Sequence, residues 1–162
     1  MKSILTLMFI LVSMSLTAQD DVYGPTEKKG TNQVPKKAWK ILVKNNLTAD
    51  ENFTLVGRTL ADNDYTIEVK DKEFYTIKTT PRDLAKISGR YFLSFSIRDK
   101  VISVTGQAIL DMSISFGSGV KSEAAFGKIQ NRGMLGSFDK IAFTRMQEFA
   151  LLLGKEVEYV VD

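Results

Sequence analysis

The segment from Tyr91 to Leu110 constrains the fold of this chain most, because it predicts two strands joined by a two-residue turn. Alternation with period two is typical of a half-buried strand. Asp99-Lys100 forms the turn into the second strand, Val101 to Leu110. The two alternating sets of the first strand are Tyr91, Leu93, Phe95 and Ile97, and Phe92, Ser94, Ser96 and Arg98. A hairpin of this length predicts an antiparallel sheet.

A second hairpin precedes the first. Tyr65 to Lys70 alternates apolar and polar residues, Asp71-Lys72 supplies the turn, and Phe74 to Thr80 is the return strand. Pro81 ends that strand, since proline has no amide hydrogen to donate to a sheet. Four consecutive strands with short connections predict an antiparallel meander with one covered face and one largely polar face.

A strand and a helix come before the meander. Trp39 to Val43 alternates with the period of a strand. Thr48 and Glu51 have the spacing of a capping box, in which each side chain accepts a hydrogen bond from the other residue's amide, so a helix is predicted to begin here. Residues of this helix with the spacing of one packed face are Phe53, Val56, Gly57 and Leu60.

A longer helix follows the meander, from its cap at Ser137 to Gly154 at its end. Its apolar residues at helical spacing are Phe138, Ile141, Ala142, Met146, Phe149, Ala150 and Leu153. Before it, the glycine-rich stretch Gly117 to Gly136 is predicted to hold a short helix from Ser122 to Asn131. The sequence leaves open whether this stretch is a functional loop or a connector. Val157 to Val161 is predicted to add an edge strand.

These elements predict an α+β fold in which two helices cover an antiparallel β-sheet, in the order β-α-β-β-β-β-α. The segments that carry a resemblance are Trp39 to Val43, Phe53 to Arg58, Arg90 to Arg98 and Val101 to Gln107. In this order they resemble the uncharacterised secreted bacterial domains described as having a TATA-binding-protein-like (TBP-like) fold; a helix-grip-like arrangement is the alternative. The resemblance extends over Lys37 to Leu153. It implies a fold but no activity, because function resides in sites rather than in topology.

Composition excludes several classes of function. The chain has no cysteine and no histidine, so disulfides, Ser-His-Asp and Cys-His nucleophile systems and histidine-containing zinc sites are all excluded. Its 22 basic and 19 acidic residues leave a net charge of only +3. Nucleic-acid-binding domains usually concentrate basic residues on one face, so we expect no nucleic-acid partner. A length of 162 residues with 44% apolar content predicts one hydrophobic core.

The N-terminal residues predict export. Lys2 supplies a positive charge, and Ile4 to Leu16 is an apolar run too short to span a bilayer. We therefore expect residues 1–18 to be a cleavable signal peptide, residues 19–37 a flexible linker and residues 38–162 a single α+β domain. The expected location is the periplasm or the extracellular space, with no transmembrane span after cleavage. Because there is no cysteine, an acyl anchor of the lipoprotein type is excluded.

Three segments resemble known functional motifs but lack residues that those motifs require. Ser118 and Lys121 have the spacing of serine–lysine hydrolases, but the accompanying motifs of those enzymes are missing. Val120 also breaks the frame of a phosphate-binding loop. Asp62-Asn63-Asp64 begins like a calcium loop, but Ile67 stands where that loop needs glycine. We interpret it as a turn from helix to strand.

We therefore expect a non-catalytic secreted or periplasmic binding module, whose sheet face or glycine-rich loop contacts a protein or another partner in the cell envelope. The alternative is a carrier of a small apolar ligand, held in a pocket between the sheet and the C-terminal helix. Aromatic residues available to such a pocket are Phe74, Tyr75, Tyr91, Phe92, Phe95 and Phe116. We expect no catalytic residue, metal ligand or cofactor, and the sequence assigns no ligand-binding residue.

Overall fold

The computed structural model describes residues 34–85, 87–110 and 125–161. They belong to one compact unit, Gln33–Asp162. The predicted signal peptide, most of the predicted linker and the Ser118 to Lys121 motif lie outside the described residues.

Within these described ranges, eight strands and two helices form an α+β fold, and the predicted class is confirmed. In chain order they are β1 (Ala38–Lys44), α1 (Ala49–Asp62), β2 (Ile67–Asp71), β3 (Thr76–Thr79), β4 (Arg82–Asp83), β5 (Gly89–Arg98), β6 (Val101–Leu110), β7 (Gly127–Lys128), α2 (Phe138–Leu153) and β8 (Glu156–Val161). The sheet has the strand order β2-β3-β5-β6-β1-β8, with the short strands β4 and β7 paired to β5 and β6. Every pair of neighbouring strands is antiparallel.

The hairpin of β5 and β6 forms the centre of the sheet, as the alternation predicts. Its register runs without interruption from Arg98 opposite Val101 to Gly89 opposite Leu110. Lys100 in the turn has a φ of 63°, which lies in the left-handed region. The long ladder fixes which side chains of both strands face the helices and which face away.

Strand β1 extends this hairpin on its far side and lies between β6 and β8. Ile41 is the Cα partner of Val104 in β6 and of Tyr159 in β8. The predicted edge strand near the C-terminus is therefore present as β8. Strand β1 therefore has a neighbour on each side, and β2 and β8 are the edge strands of the main strand order among the described residues.

Helix α1 begins as the capping box predicts. The Thr48 hydroxyl accepts a hydrogen bond from the Glu51 amide, and the Glu51 carboxylate accepts one from the Thr48 amide at 2.9 Å. Its buried face also contains Asn52, which the apolar pattern does not reveal. The Asn52 amide donates to the carbonyl of Arg98 at 3.1 Å and its oxygen accepts from Asn45 at 2.7 Å, so the helix is tied to the end of β5.

The predicted short helix from Ser122 to Asn131 is wrong in its described part. Gly127 and Lys128 instead form β7, which pairs with β6. The amide of Ile129 continues this pairing by donating to the carbonyl of Gly106 at 3.0 Å. Beyond the part of β6 that pairs with β1, β6 provides backbone partners for this segment, so tertiary contact overrides the local pattern.

Helix α2 has the predicted bounds, but its ends are built differently. The Ser137 side chain makes no capping hydrogen bond. Gly154 has a φ of 173°, which is extended backbone rather than the left-handed cap of a helix. A Cβ atom at Gly154 would lie 2.8 Å from Cγ1 of Val43. Glycine is therefore required here because the chain passes close to β1 on its way into β8.

The hydrophobic core lies between the helices and one face of the sheet. The ring of Phe149 in α2 lies 5.4 Å from that of Phe95 in β5 and 5.0 Å from that of Tyr65. Buried residues along the inner face of α2 are Ala142, Phe143, Met146, Phe149, Ala150 and Leu153. Side chains thus fill the space between α2 and the sheet.

Candidate functional site

The sheet face that points away from the helices carries an open groove with a volume of about 720 Å³. The groove crosses β2, β3, β5, β6 and β1. Four strand-to-strand spacings of about 4.8 Å make it roughly 19 Å long. Since the helices cover only the other face, this groove is accessible to solvent.

Small hydroxyl side chains form the floor of the groove, and they are Thr76, Ser94, Ser96, Ser103 and Thr105. The antiparallel register places them side by side, with Ser94 opposite Thr105 and Ser96 opposite Ser103. Within the described part of the chain, the hydroxyls of Ser94, Ser96 and Ser103 make no hydrogen bond. The floor therefore offers hydrogen-bond donors and acceptors to a ligand.

Among the described residues that line the groove, three have cationic side chains and none has a carboxylate; the cations are Lys40, Lys78 and Arg98. Lys78 is paired with Glu68 at 2.9 Å. Lys40 and Arg98 lie in no ion pair among residues 34–85, 87–110 and 125–161. The groove therefore has an excess of positive charge that the described residues do not neutralise.

Trp39 lies at one end of the groove, where a register shift interrupts the pairing of β1 with β8 between Ala38 and Lys40. The ammonium groups of Lys40 and Lys128 lie 4.6 and 4.5 Å from the centre of its ring. Such cation–π contacts hold the indole in place and concentrate positive charge at this end.

Beyond the groove lining, one cation of this face has a carboxylate partner. Lys44 in β1 is paired with Glu158 in β8, and the hydrogen bond and charge of Glu158 raise the pKa of Lys44. Phe92 is buried on this face, because the ring of Phe126 lies 5.3 Å away and the ammonium of Lys78 lies 4.6 Å from its ring centre.

The aromatic residues considered for a ligand pocket are not brought together. Tyr91 and Phe95 are buried in the core, Phe92 lies on the opposite face and Phe74 is largely exposed in the turn before β3. Phe116 lies outside the described residues. The alternation that places one of these side chains in the core places its neighbour on the other face.

The hydroxyl floor is the part of the site that sequence reasoning did not assign. The signal for it was present, since the polar positions of the β5 and β6 pattern hold serine and threonine on both strands. Only the pairing with β3 and β1 adds Thr76, Lys78, Lys40 and Trp39 to the same face. Those contributions come from strands that are distant in sequence.

A second, smaller cleft of about 400 Å³ lies beside α2. At its wall the hydroxyls of Tyr65 and Tyr91 are 2.8 Å apart, and burial, followed by this hydrogen bond, raises the pKa of Tyr91. Arg82 lies over the ring of Tyr65, and Arg145 is paired with Glu148 at 2.8 Å. Because its charges are paired or balanced, this cleft has less capacity for a charged ligand than the groove.

The structure also bears on the calcium-loop-like segment, on metal sites and on membrane spans. Asp62 ends α1, Asn63 caps it and Asp64 has a φ of 58°, so this segment is a turn between helix and strand, as interpreted. The described residues contain no cluster of carboxylates suited to holding a metal ion. No helix among them combines the length and the apolar character needed to cross a bilayer.

No family model and no curated protein matches this chain. Among solved structures, the chain is similar to the crystal structure of a TBP-like protein from Parabacteroides distasonis ATCC 8503 at 1.90 Å resolution. The two share 15% sequence identity, the match covers 72% of this chain and 93% of that chain, and the TM-score is 0.41. TBP-like is also the fold that the resemblance in sequence predicts. The α+β class itself is established by the strand order and the two helices of this chain.

Proposed function

We propose that this protein is an exported, non-catalytic binding module that holds an acidic segment of a partner protein in the groove on the uncovered sheet face. The observation that carries the proposal is the lining of the groove, in which Lys40, Lys78 and Arg98 lie over a floor of hydroxyls and the described lining residues include no carboxylate. A ligand with carboxylates matches both features, because charge-assisted hydrogen bonds to cations and hydroxyl donors are strong.

The dimensions of the groove favour an extended polypeptide. A length of roughly 19 Å corresponds to about six residues in a strand-like conformation, at about 3.3 Å per residue. The groove is open along the face, so a chain can enter without any movement of the helices. Leu42, Val69 and Val101 add apolar contacts between the polar groups, and these suit alternate side chains of such a segment.

The packing under α2 favours this function over the alternative of a carrier for a small apolar ligand. The inner face of α2 is occupied by side chains that contact the sheet, including Phe143, Met146 and Phe149. An apolar ligand in that place would have to displace them. The groove, by contrast, is accessible as it stands.

The surroundings of Trp39 favour a protein partner over a nucleic acid. Single-stranded nucleic acids are usually held by bases that stack on exposed aromatic rings. The Trp39 ring is instead engaged by the ammonium groups of Lys40 and Lys128. With three cations in its lining, the groove matches a short acidic segment better than a long polyanionic backbone.

Trp39 is the single tryptophan of the chain, so its fluorescence reports directly on groove occupancy. The purified protein is titrated with an extended peptide in which glutamate and threonine alternate, and with the same peptide carrying glutamine in place of glutamate. We expect saturable binding of the acidic peptide only. Added salt should weaken it, because the charges that attract the peptide are accessible to solvent.

The charge-reversal variants Lys40→Glu and Arg98→Glu test the site itself. Each should weaken peptide binding about tenfold or more, since it replaces an attraction by a repulsion. Arg58→Glu is the matched control, because Arg58 is exposed on α1, which packs on the other face. Equal affinity of all three variants would contradict the proposal, as would tighter binding of a single-stranded oligonucleotide than of the acidic peptide.

A further inference from the structure

The turn before α2 presents two large apolar side chains to solvent. Met134 is 83% exposed and Leu135 is 94% exposed, and among the described residues no other large apolar side chain is as exposed. We call this pair the apolar tip. Isolated apolar residues are common on protein surfaces, but two adjacent ones at this level of exposure are unfavourable in water unless another surface covers them.

The backbone holds the apolar tip in one conformation. Gly133 and Gly136, which flank it, have φ angles of 80° and 86°, a region that disfavours other residues. The amide of Ser137 donates to the carbonyl of Met134 at 3.0 Å, which closes the turn. A Cβ atom on Gly133 would lie 2.4 Å from the Ser137 hydroxyl, so the turn packs tightly against the start of α2.

Basic residues surround the base of the tip. The amide of Lys37 donates to the carbonyl of Asn131 at 2.9 Å, and the Lys140 ammonium donates to the side-chain oxygen of Asn131. Lys36 and Arg132 adjoin these residues in the chain. We call the four cations Lys36, Lys37, Arg132 and Lys140 the basic collar.

The collar has a net positive charge. Asp139 neutralises Arg132, whose guanidinium lies 2.9 Å from that carboxylate. Lys36 and Lys37 are exposed and lie in no ion pair within the described part of the chain. Lys140 donates to a neutral amide oxygen, so three of the four collar cations have no carboxylate partner among the described residues.

We propose that the apolar tip and the basic collar dock this protein onto an anionic lipid surface. Met134 and Leu135 enter the boundary between headgroups and acyl chains, while the lysines contact the headgroup phosphates. This combination of apolar insertion and basic attraction is how peripheral proteins bind membranes reversibly. A two-residue tip is much smaller than the roughly 800 Å² that each partner of a stable protein complex buries, so a lipid surface fits it better. The inference does not depend on the proposed function, because the tip and the collar include no residue of the groove lining.

Phe74 provides a matched control, since it is 71% exposed in the turn between β2 and β3. It lies near Thr76, which pairs with Ser96 close to the end of β5. The tip follows Asn131, whose amide donates to the carbonyl of Ala38 at the start of β1. Strands β1 and β5 run in the same direction, because both are antiparallel to β6. Phe74 and the tip therefore lie at opposite ends of the sheet.

The test is co-sedimentation of the protein without the predicted signal peptide, residues 1–18, with two kinds of vesicle, one of phosphatidylcholine alone and one that also contains phosphatidylglycerol. We expect binding to the anionic vesicles and little binding to the neutral ones. Met134→Asp/Leu135→Asp should reduce the partition coefficient about tenfold or more, because the inserted apolar area is lost. Lys36→Gln/Lys37→Gln should reduce the partition coefficient on anionic vesicles by a similar factor. Phe74→Asp should leave the partition coefficient unchanged.

Three outcomes would overturn the proposal. The first is an absence of binding to anionic vesicles at low salt. The second is equal binding by the Met134→Asp/Leu135→Asp variant and the unaltered protein. The third is a loss in Phe74→Asp as large as the loss in that double variant, which would indicate a general effect of adding negative charge. Circular dichroism of each variant establishes that its fold is intact, so a loss of binding reports on the docking surface.

Discussion

The side-chain amide nitrogen of Asn131 lies 2.7 Å from the carbonyl oxygen of Pro35. The same nitrogen donates to the carbonyl of Val34 at 3.1 Å, and the backbone of Asn131 exchanges hydrogen bonds with Lys37 and Ala38. Asn131 is only 4% exposed. One asparagine therefore joins the entry into β1 to the segment that leads into α2, and it places the lysines of the basic collar beside the apolar tip.

We predict that Asn131→Ala lowers the free energy of unfolding by about 1–3 kcal/mol, because it removes the side-chain hydrogen bonds to the carbonyls of Val34 and Pro35 and the acceptor of the Lys140 ammonium. Urea denaturation followed by circular dichroism measures the change. Gln107→Ala, at an exposed position of β6, is the control and should change stability by no more than about 0.5 kcal/mol. Equal stability of the two variants would show that the asparagine contacts contribute nothing to the fold.

We predict that Phe149→Ala lowers the free energy of unfolding by about 3–5 kcal/mol, since the ring fills the space between α2 and β5 and its loss leaves a cavity. Leu152→Ala, at a position that is 55% exposed on the same helix, should have a much smaller effect. A small effect of Phe149→Ala, together with an apolar ligand that co-purifies with the protein in native mass spectrometry, would instead favour the carrier.

We predict that Glu51→Gln destabilises the protein near neutral pH and that its difference from the unaltered protein shrinks in acid. Hydrogen bonds from the amide and then the hydroxyl of Thr48 lower the pKa of Glu51 below its ordinary value of 4.5. A lowered pKa in the folded state contributes stability that is present above the unfolded pKa and is lost as the pH falls through the folded pKa.

Thermal unfolding at about pH 7 and about pH 3 measures this difference. Glu73→Gln is the matched control, since Glu73 is exposed in a turn and makes no hydrogen bond within the described residues. A difference between Glu51→Gln and the unaltered protein that stays constant from neutral to acid pH would contradict the role assigned to the carboxylate.

Local sequence patterns predicted the elements whose hydrogen-bonding groups find their partners within the same short stretch of chain. The capping box of Thr48 and Glu51 closes within four residues, and the Asp99-Lys100 turn sets the register of the hairpin that it joins. The bounds of α2 follow from the spacing of its apolar residues. The groove was predictable only as one polar face, because its cations and Trp39 come from strands that meet β5 and β6 after folding.

The sequence by itself determined the α+β class, the central hairpin, both helices and the division of the sheet into an apolar and a polar face. Side-chain periodicity and local hydrogen bonding are enough to specify these features. Only the tertiary structure decided that β7 is a strand, that Asn52 and Asn131 are buried, and that Lys40, Lys78 and Arg98 share one groove. Each of these depends on contacts between residues far apart in the chain, and a linear pattern carries no information on which distant partner will satisfy a backbone group or a charge.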